Sequence, residues 1–228
     1  MRIAVVGPGR MGRAVAQVAQ ESGHQIVAEI GAGGLSPDAL QDAQVAIEFT
    51  VPDAVCGNLE RLAELGVPTV TGTTGWYDEL PRIARVFERE GVGLIYAPNF
   101  SLGALLMTRL AREAGRLMAG RPEFSAWLVE THHAQKLDAP SGTAARLRET
   151  LREVDGGRDY PVTSVRGGTV PGSHELVMDA VGEELVLRHT ARDRSIFARG
   201  AVLAAQWLLA EPRQGAFDFG TSILGANP

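Results

Sequence analysis

Apolar positions fall in two rhythms along this chain. As far as Asn99, short, nearly continuous apolar runs at residues 3–6, 26–30, 45–49, 67–71 and 92–96 alternate with stretches whose apolar side chains recur at helical spacing. Near-continuous runs of this length predict strands covered on both faces. The stretch 10–22 puts Met11, Val15, Val18 and Ala19 on one helical face and stops at Gly23. Residues 31–36 read as a loop and 38–42 as a short helical turn. Residues 53–65, with Asp53 near the start and Gly66 just past the end, read as a helix, as do residues 78–90. Such alternation predicts parallel strands joined by crossover helices: an α/β fold with a Rossmann-like doubly wound parallel sheet that binds ligand at the carboxyl ends of its strands.

Beyond Asn99 the rhythm changes. Residues 102–118 predict a long helix and 124–131 a strand, followed by a loop rich in His, Lys, Asp and Pro. Ser141 is placed to cap a helix running through Val154. Residues 160–166 and 184–190 read as strands of a meander, with a glycine-rich stretch at 167–172 between them, and 195–209 as an apolar helix. This second region is α+β in character.

Composition narrows the classes. At 228 residues and roughly 150 residues per domain, the chain holds one large or two small domains. With 45% hydrophobic and 21% charged residues it is an ordinary globular sequence, not a disordered one. A formal charge of −5 argues against nucleic acid as a partner. No apolar run approaches the roughly 18 residues of a membrane span. The start, MRIAVVG, reads as a first strand rather than a signal peptide. The single cysteine, Cys56, allows no intrachain disulfide and favours a reducing compartment; within a predicted helix it reads as a small buried hydrophobe.

Gly7-Pro8-Gly9-Arg10-Met11-Gly12 is G-x-G-x-x-G between a strand and a helix. The first glycine permits a tight turn, the second lets a pyrophosphate approach, and the third lets helix and strand pack closely. Glu29 has roughly the spacing of an acid that holds the adenosine ribose, and no arginine nearby meets a 2′-phosphate. Gly72-Thr73-Thr74-Gly75 and Ala97-Pro98-Asn99-Phe100-Ser101 follow later strands, where they either line a nicotinamide pocket or simply turn the chain. The densest polar cluster runs from Glu130 to Thr143. It joins His132, His133 and Lys136 to a helix start at Ser141, Gly142 and Thr143, a set suited to a carboxylate-bearing substrate, with an imidazole or the ammonium as proton donor. Adjacent histidines with no third His or Cys nearby make poor zinc spacing, so no metal is expected. His24, His174 and His189 read as structural or surface residues.

The segment VETHHAQKLDAPSGTA resembles the signature of the 4-hydroxy-tetrahydrodipicolinate (dihydrodipicolinate) reductase family. GPGRMGR, EFTVPDA, GTTGW, APNFSLG and FARGAVLAAQWL fall in that family's order, so the resemblance covers almost the whole chain. It implies a cytoplasmic enzyme of the diaminopimelate route to lysine that reduces a cyclic dicarboxylate with NADH or NADPH, usually as a homotetramer. It implies that His132 is the catalytic histidine, Lys136 the proton donor, and His133, Gly142, Thr143 and Arg194 substrate contacts. Residues 7–12, 72–74 and 97–100 match cofactor segments. The expected division is a dinucleotide-binding domain of residues 1–99 plus 194–228 and a substrate-binding and oligomerisation domain of 100–193, hinged near 99–101 and 192–195. The family often carries an acid where this chain has Gly31 or Ala32, which leaves the choice of cofactor open. From the residues alone, a non-catalytic nicotinamide sensor or another small-molecule reductase remain alternatives.

Overall fold

A computed structural model describes residues 1–225; the last three positions of the expected segment 194–228 lie outside the described residues. In chain order the elements are β1 (Arg2–Val6), α1 (Arg10–Glu21), β2 (Gln25–Ile30), α2 (Pro37–Leu40), β3 (Val45–Glu48), α3 (Pro52–Glu64), β4 (Thr69–Thr71), α4 (Leu80–Arg89), β5 (Gly93–Tyr96), α5 (Leu102–Met118), β6 (Ser125–His132), α6 (Gly142–Val154), β7 (Val162–Arg166), β8 (Gly172–Ala180), β9 (Glu183–Ala191), α7 (Ser195–Ala210), β10 (Gly215–Asp218) and α8 (Phe219–Leu224). They form two compact units. One joins Met1–Ser101 to the chain from Ser195 onward; the other is Leu102–Arg194.

The first unit is built on a parallel sheet in the order β10-β5-β4-β3-β1-β2. Ile3, Ala4, Val5, Val45, Ala46 and Ile47 are wholly enclosed, as expected of strands covered on both faces. Helices α1 and α7 pack together, as do α3 and α4, and both pairs lie against the sheet. The winding direction reverses between β1 and β3, which creates a crevice at their carboxyl ends. Helix α4 starts later than the spacing predicts: Tyr77–Glu79 form a 3-10 turn, and Pro81, which cannot donate a hydrogen bond, fits only the first turn of the helix. Strand β10 extends the sheet by pairing with β5, a strand too short to show a pattern in sequence.

The second unit is a four-stranded sheet in the order β7-β6-β8-β9. The expected meander is wrong. Strand β7 runs parallel to β6, reached by a crossover through α6, while β8 pairs antiparallel with both β6 and β9. Strand β8 escapes the sequence reading because Gly172, Ser173, His174, Leu176, Val177 and Met178 are all buried, so neither alternation nor an apolar run marks it. Strand β6 does alternate: Ala126, Leu128, Glu130 and His132 point inward. Met107, Ala111 and Met118 of α5 and Leu147 and Leu151 of α6 close a core over Ala126, Leu128, Leu176 and Met178.

Candidate active site

In the first unit, the turn between β1 and α1 has three glycines with three physical roles. Gly7 has φ +92°, and a Cβ there would lie 2.2 Å from the Phe49 carbonyl oxygen, so the turn can press against the end of β3 only without a side chain. A Cβ on Gly12 would lie 2.2 Å from the Gly7 carbonyl oxygen, so α1 packs directly on the turn. A Cβ on Gly9 would meet nothing within 4 Å. Gly9 is also the N-cap of α1, with no side-chain cap and no acidic residue in the first turn. That is an open cradle at a helix start, and it fits a dinucleotide pyrophosphate.

The ends of β3, β4 and β5 are tied together by residues that spacing does not reveal. Glu48 is completely buried. One carboxylate oxygen accepts hydrogen bonds from the Thr50 amide at 3.0 Å, the Thr50 hydroxyl, and the Thr73 hydroxyl at 3.1 Å. The other accepts from Thr71 at 2.5 Å. The Phe49 ring covers Gly72, where a Cβ would lie 2.0 Å from it, and packs edge-on against Phe100 with centroids 6.2 Å apart. Of the predicted cofactor residues, Pro8, Gly9, Arg10, Thr74 and Pro98 are exposed. Gly7, Met11, Gly72 and Asn99 are half-buried, and Gly12, Thr73, Ala97 and Phe100 are buried. The Thr73 hydroxyl is turned inward onto Glu48.

The second unit centres on Glu130, only 1% exposed. Inward alternation on β6 puts it on the same face as His132, and the strand register sets Ser164 of β7 and His174 of β8 opposite it. Its Oε1 accepts from the Ser141 amide at 3.0 Å, the Ser164 hydroxyl at 2.6 Å and Arg166 Nη2 at 2.7 Å. Its Oε2 lies 3.0 Å from His132 Nδ1, with the ring edge turned out of line for a hydrogen bond. The Ser141 hydroxyl caps α6 through the Ala144 amide and bonds His174 Nε2 at 3.1 Å. The His174 ring stands edge-on to His132 with centroids 5.1 Å apart. His174, expected among structural or surface positions, is thus part of the cluster. His24 lies outside it, bonded to the N-terminus and Gln206.

Electrostatics follow from this packing. Burial pushes the Glu130 pKa up, but hydrogen bonds from Ser141, Ser164 and Arg166 outweigh it and hold it at about 2. Burial lowers the His132 pKa; Glu130 opposes that, while Lys136 and Arg166 add to it. Burial, reinforced by His132, takes His174 down to about 4. Lys136 Nζ is held by Asp138 at 2.7 and 2.9 Å, and Arg166 also bonds the Asp138 carbonyl at 2.6 Å. Among the described residues, Glu130, His132 and His174 are the one group close enough to share a metal ion. Arg166 already sits on that carboxylate, however, and the charges of Lys136 and Arg166 both disfavour a positive His132, so another positive charge is disfavoured there.

His132, Lys136 and the start of α6 are therefore brought together around Glu130. Gly142 and Thr143 occupy the first turn of α6, whose N–H groups point away from the helix body. His133 follows the end of β6, half-buried, and its Nδ1 makes no hydrogen bond. Arg194 is exposed three residues past β9, whose last residue, Ala191, pairs with Gly172. Gly172 in turn lies under His132: a Cβ on it would come 3.0 Å from His132 Nε2. Glu48, Phe49, Ser164, Arg166, Gly172 and His174 are not among the residues that sequence spacing selects, and Glu130, which opens the densest polar cluster, gains a role only from the structure. The EFTVPDA and VETHH strings are the only hints of the two glutamates.

Residues 1–100 match the family model described as dihydrodipicolinate reductase, N-terminus, and residues 103–222 the one described as dihydrodipicolinate reductase, C-terminus. The 4-hydroxy-tetrahydrodipicolinate reductase of Christiangramia forsetii is 34% identical over 221 residues, covering 91% of this chain and 92% of its own. The protein of the same name from Cutibacterium acnes is 36% identical over 238 residues, covering 93% and 94%. Among solved structures, dipicolinate-bound dihydrodipicolinate reductase from Paenisporosarcina sp. TG-14 matches with a TM-score of 0.82 at 24% identity, covering 98% of this chain and 99% of that one, a likeness of fold.

Proposed function

The chain belongs to the dihydrodipicolinate reductase family and is a nicotinamide-dependent reductase of 4-hydroxy-tetrahydrodipicolinate in lysine biosynthesis; from that premise we propose how its residues divide the work. When bound, the nicotinamide would supply a hydride. Gly7, Pro8, Gly9, Arg10, Met11 and Gly12 would hold the cofactor's pyrophosphate, and residues 72–74 and 97–100 its nicotinamide side. Glu29 is exposed near the end of β2, and Gly31 and Ala32 after it carry no charge. With no acid at Gly31 or Ala32, Glu29 is the one carboxylate of that segment to oppose a 2′-phosphate, which supports use of both NADH and NADPH.

The second unit takes the dicarboxylate. Lys136, His133, Arg194 and the first turn of α6 at Gly142 and Thr143 bind and orient the two carboxylates. One hydride and one proton enter the ring as one water leaves; His132 or Lys136 delivers the proton. Positioning of this kind supplies several kcal/mol of barrier reduction. The observation that carries this reading is the Glu130 cluster, which links His132 to the helix start that grips the anion. A sensing role has no use for an acid beside an anion site.

A homotetramer in the cytoplasm is part of the same proposal. The second unit exposes Leu106, Leu110, Leu117, Leu185 and Val186 and has an apolar groove of about 390 Å³ between α5 and β9, which supports association there. The test is NADH and NADPH oxidation by protein of known mass in solution, coupled to aspartate semialdehyde, pyruvate and the upstream synthase. Turnover with both cofactors by a tetramer is expected. No oxidation of either cofactor would remove the proposal.

A further inference from the structure

Glu130 Oε2 and His132 Nδ1 are both buried, and neither has a hydrogen-bond partner elsewhere, yet they lie 3.0 Å apart. Buried polar atoms are almost always paired, and at this separation reorienting the imidazole is all that pairing these two requires. The carboxylate cannot swing away, because its Oε1 is clamped by Ser141, Ser164 and Arg166. On the opposite edge of the imidazole, Nε2 faces Gly172, where any side chain would crowd it: a Cβ would come 3.0 Å from Nε2.

We propose that Glu130 is a positioning residue for the reduction: its Oε2 holds His132 as the Nδ1–H tautomer with Nε2 left to handle the proton, and its Oε1 ties that imidazole to the helix start that grips the substrate carboxylate. Which nitrogen of a histidine carries the proton is set by the bond its other nitrogen makes. The inference rests on the reading of His132 as a proton-handling residue. It adds that the same carboxylate keeps the acid and the anion grip in register.

Glu130→Gln tests this, because the geometry dictates how the amide sits. Three donors converge on the Oε1 position, so the amide oxygen must take it, and the amide NH2 then faces His132 Nδ1. An NH2 there donates to Nδ1 and moves the ring proton to Nε2. Imidazole nitrogen NMR on the full chain should show His132 protonated at Nδ1 in the wild type and at Nε2 in the variant. Turnover should fall about tenfold or more, with KM within about threefold of wild type. In a His132→Asn background the same substitution should change turnover less than about twofold, since a residue acting through another has nothing left to act on.

Unchanged tautomer and turnover in a folded Glu130→Gln protein would overturn the proposal, as would losses that simply multiply in the double variant. Should Glu130→Gln fail to fold, Ser164→Ala decides. Removing that one donor should cost about two- to fivefold in turnover. The cost should vanish beside His132→Asn, and no cost at all would overturn the proposal. Wild-type turnover in His132→Asn alone would sink the proton-handling role, and the NMR result would still judge Glu130.

Discussion

Glu48 in the first unit and Glu130 in the second are both enclosed carboxylates near the carboxyl ends of strands, but their partners differ in kind. Glu48 is met by an amide and the hydroxyls of Thr50, Thr71 and Thr73, all neutral donors. Glu130 is met by a guanidinium and faces two imidazoles as well as accepting from serines. Neutral donors fix geometry without adding a net charge, which suits the proposed task of holding backbone turns against a cofactor. Charged and titratable partners let a carboxylate tune its neighbours, which suits proton transfer.

The largest effects should come from breaking the titrating region. His132→Ala and Lys136→Ala should each cut turnover at least about tenfold, within the range of a lost general acid. Cofactor binding, followed by fluorescence titration, should be untouched because neither side chain belongs to the first unit. Wild-type turnover in both variants would show that the cluster is structural only.

A smaller effect comes from acid. The folded pKa of Glu130 is depressed to about 2 from the ordinary 4.5 of a glutamate. Stability from this group is therefore complete above about pH 5 and is lost as pH falls toward 2, because the unfolded chain takes up the proton first. The loss is of the order of 3 kcal/mol at most. Denaturant unfolding of the second unit across that range should show it, and Glu130→Gln should flatten the slope. An equally steep acid limb in the variant would assign the loss to other carboxylates.

The two regions were also unequally legible. The parallel sheet announces itself because strands buried on both faces are nearly continuous apolar runs, and the β1–α1 turn because its glycines are spaced by one task. His132, Lys136 and Ser141 stand within one short segment and read as a group. Their organiser does not. Ser164 and Arg166 reach Glu130 from β7, and His174 from β8, a strand whose burial leaves no rhythm to read. Glu48 is hidden for the same reason: an acid at a strand end reads as solvated until β4 delivers Thr71 and Thr73 to it. Contacts made by sheet register between distant segments are what a single sequence withholds.

The smallest test, and the one that most sharpens the contrast, is Thr73→Ala. Thr73 stands in a segment proposed to hold the cofactor, yet its hydroxyl donates to Glu48 at 3.1 Å and accepts from the Thr50 amide at 2.7 Å. Its backbone carbonyl separately holds Trp76 Nε1 at 2.8 Å, which the substitution preserves. Losing the hydroxyl removes one of several neutral donors and leaves Glu48 the amide and two hydroxyls. Stability should fall by about 1 kcal/mol, the ordinary value of one such bond. Affinity for NADH or NADPH should stay within about threefold, because any contact this residue makes with the cofactor then comes from its backbone. Unfolding midpoints and cofactor titrations on the same preparation separate the two. Unaltered stability with sharply weakened cofactor binding would mean that the hydroxyl serves the ligand rather than Glu48, and the division between a region that fixes geometry and one that moves protons would fail.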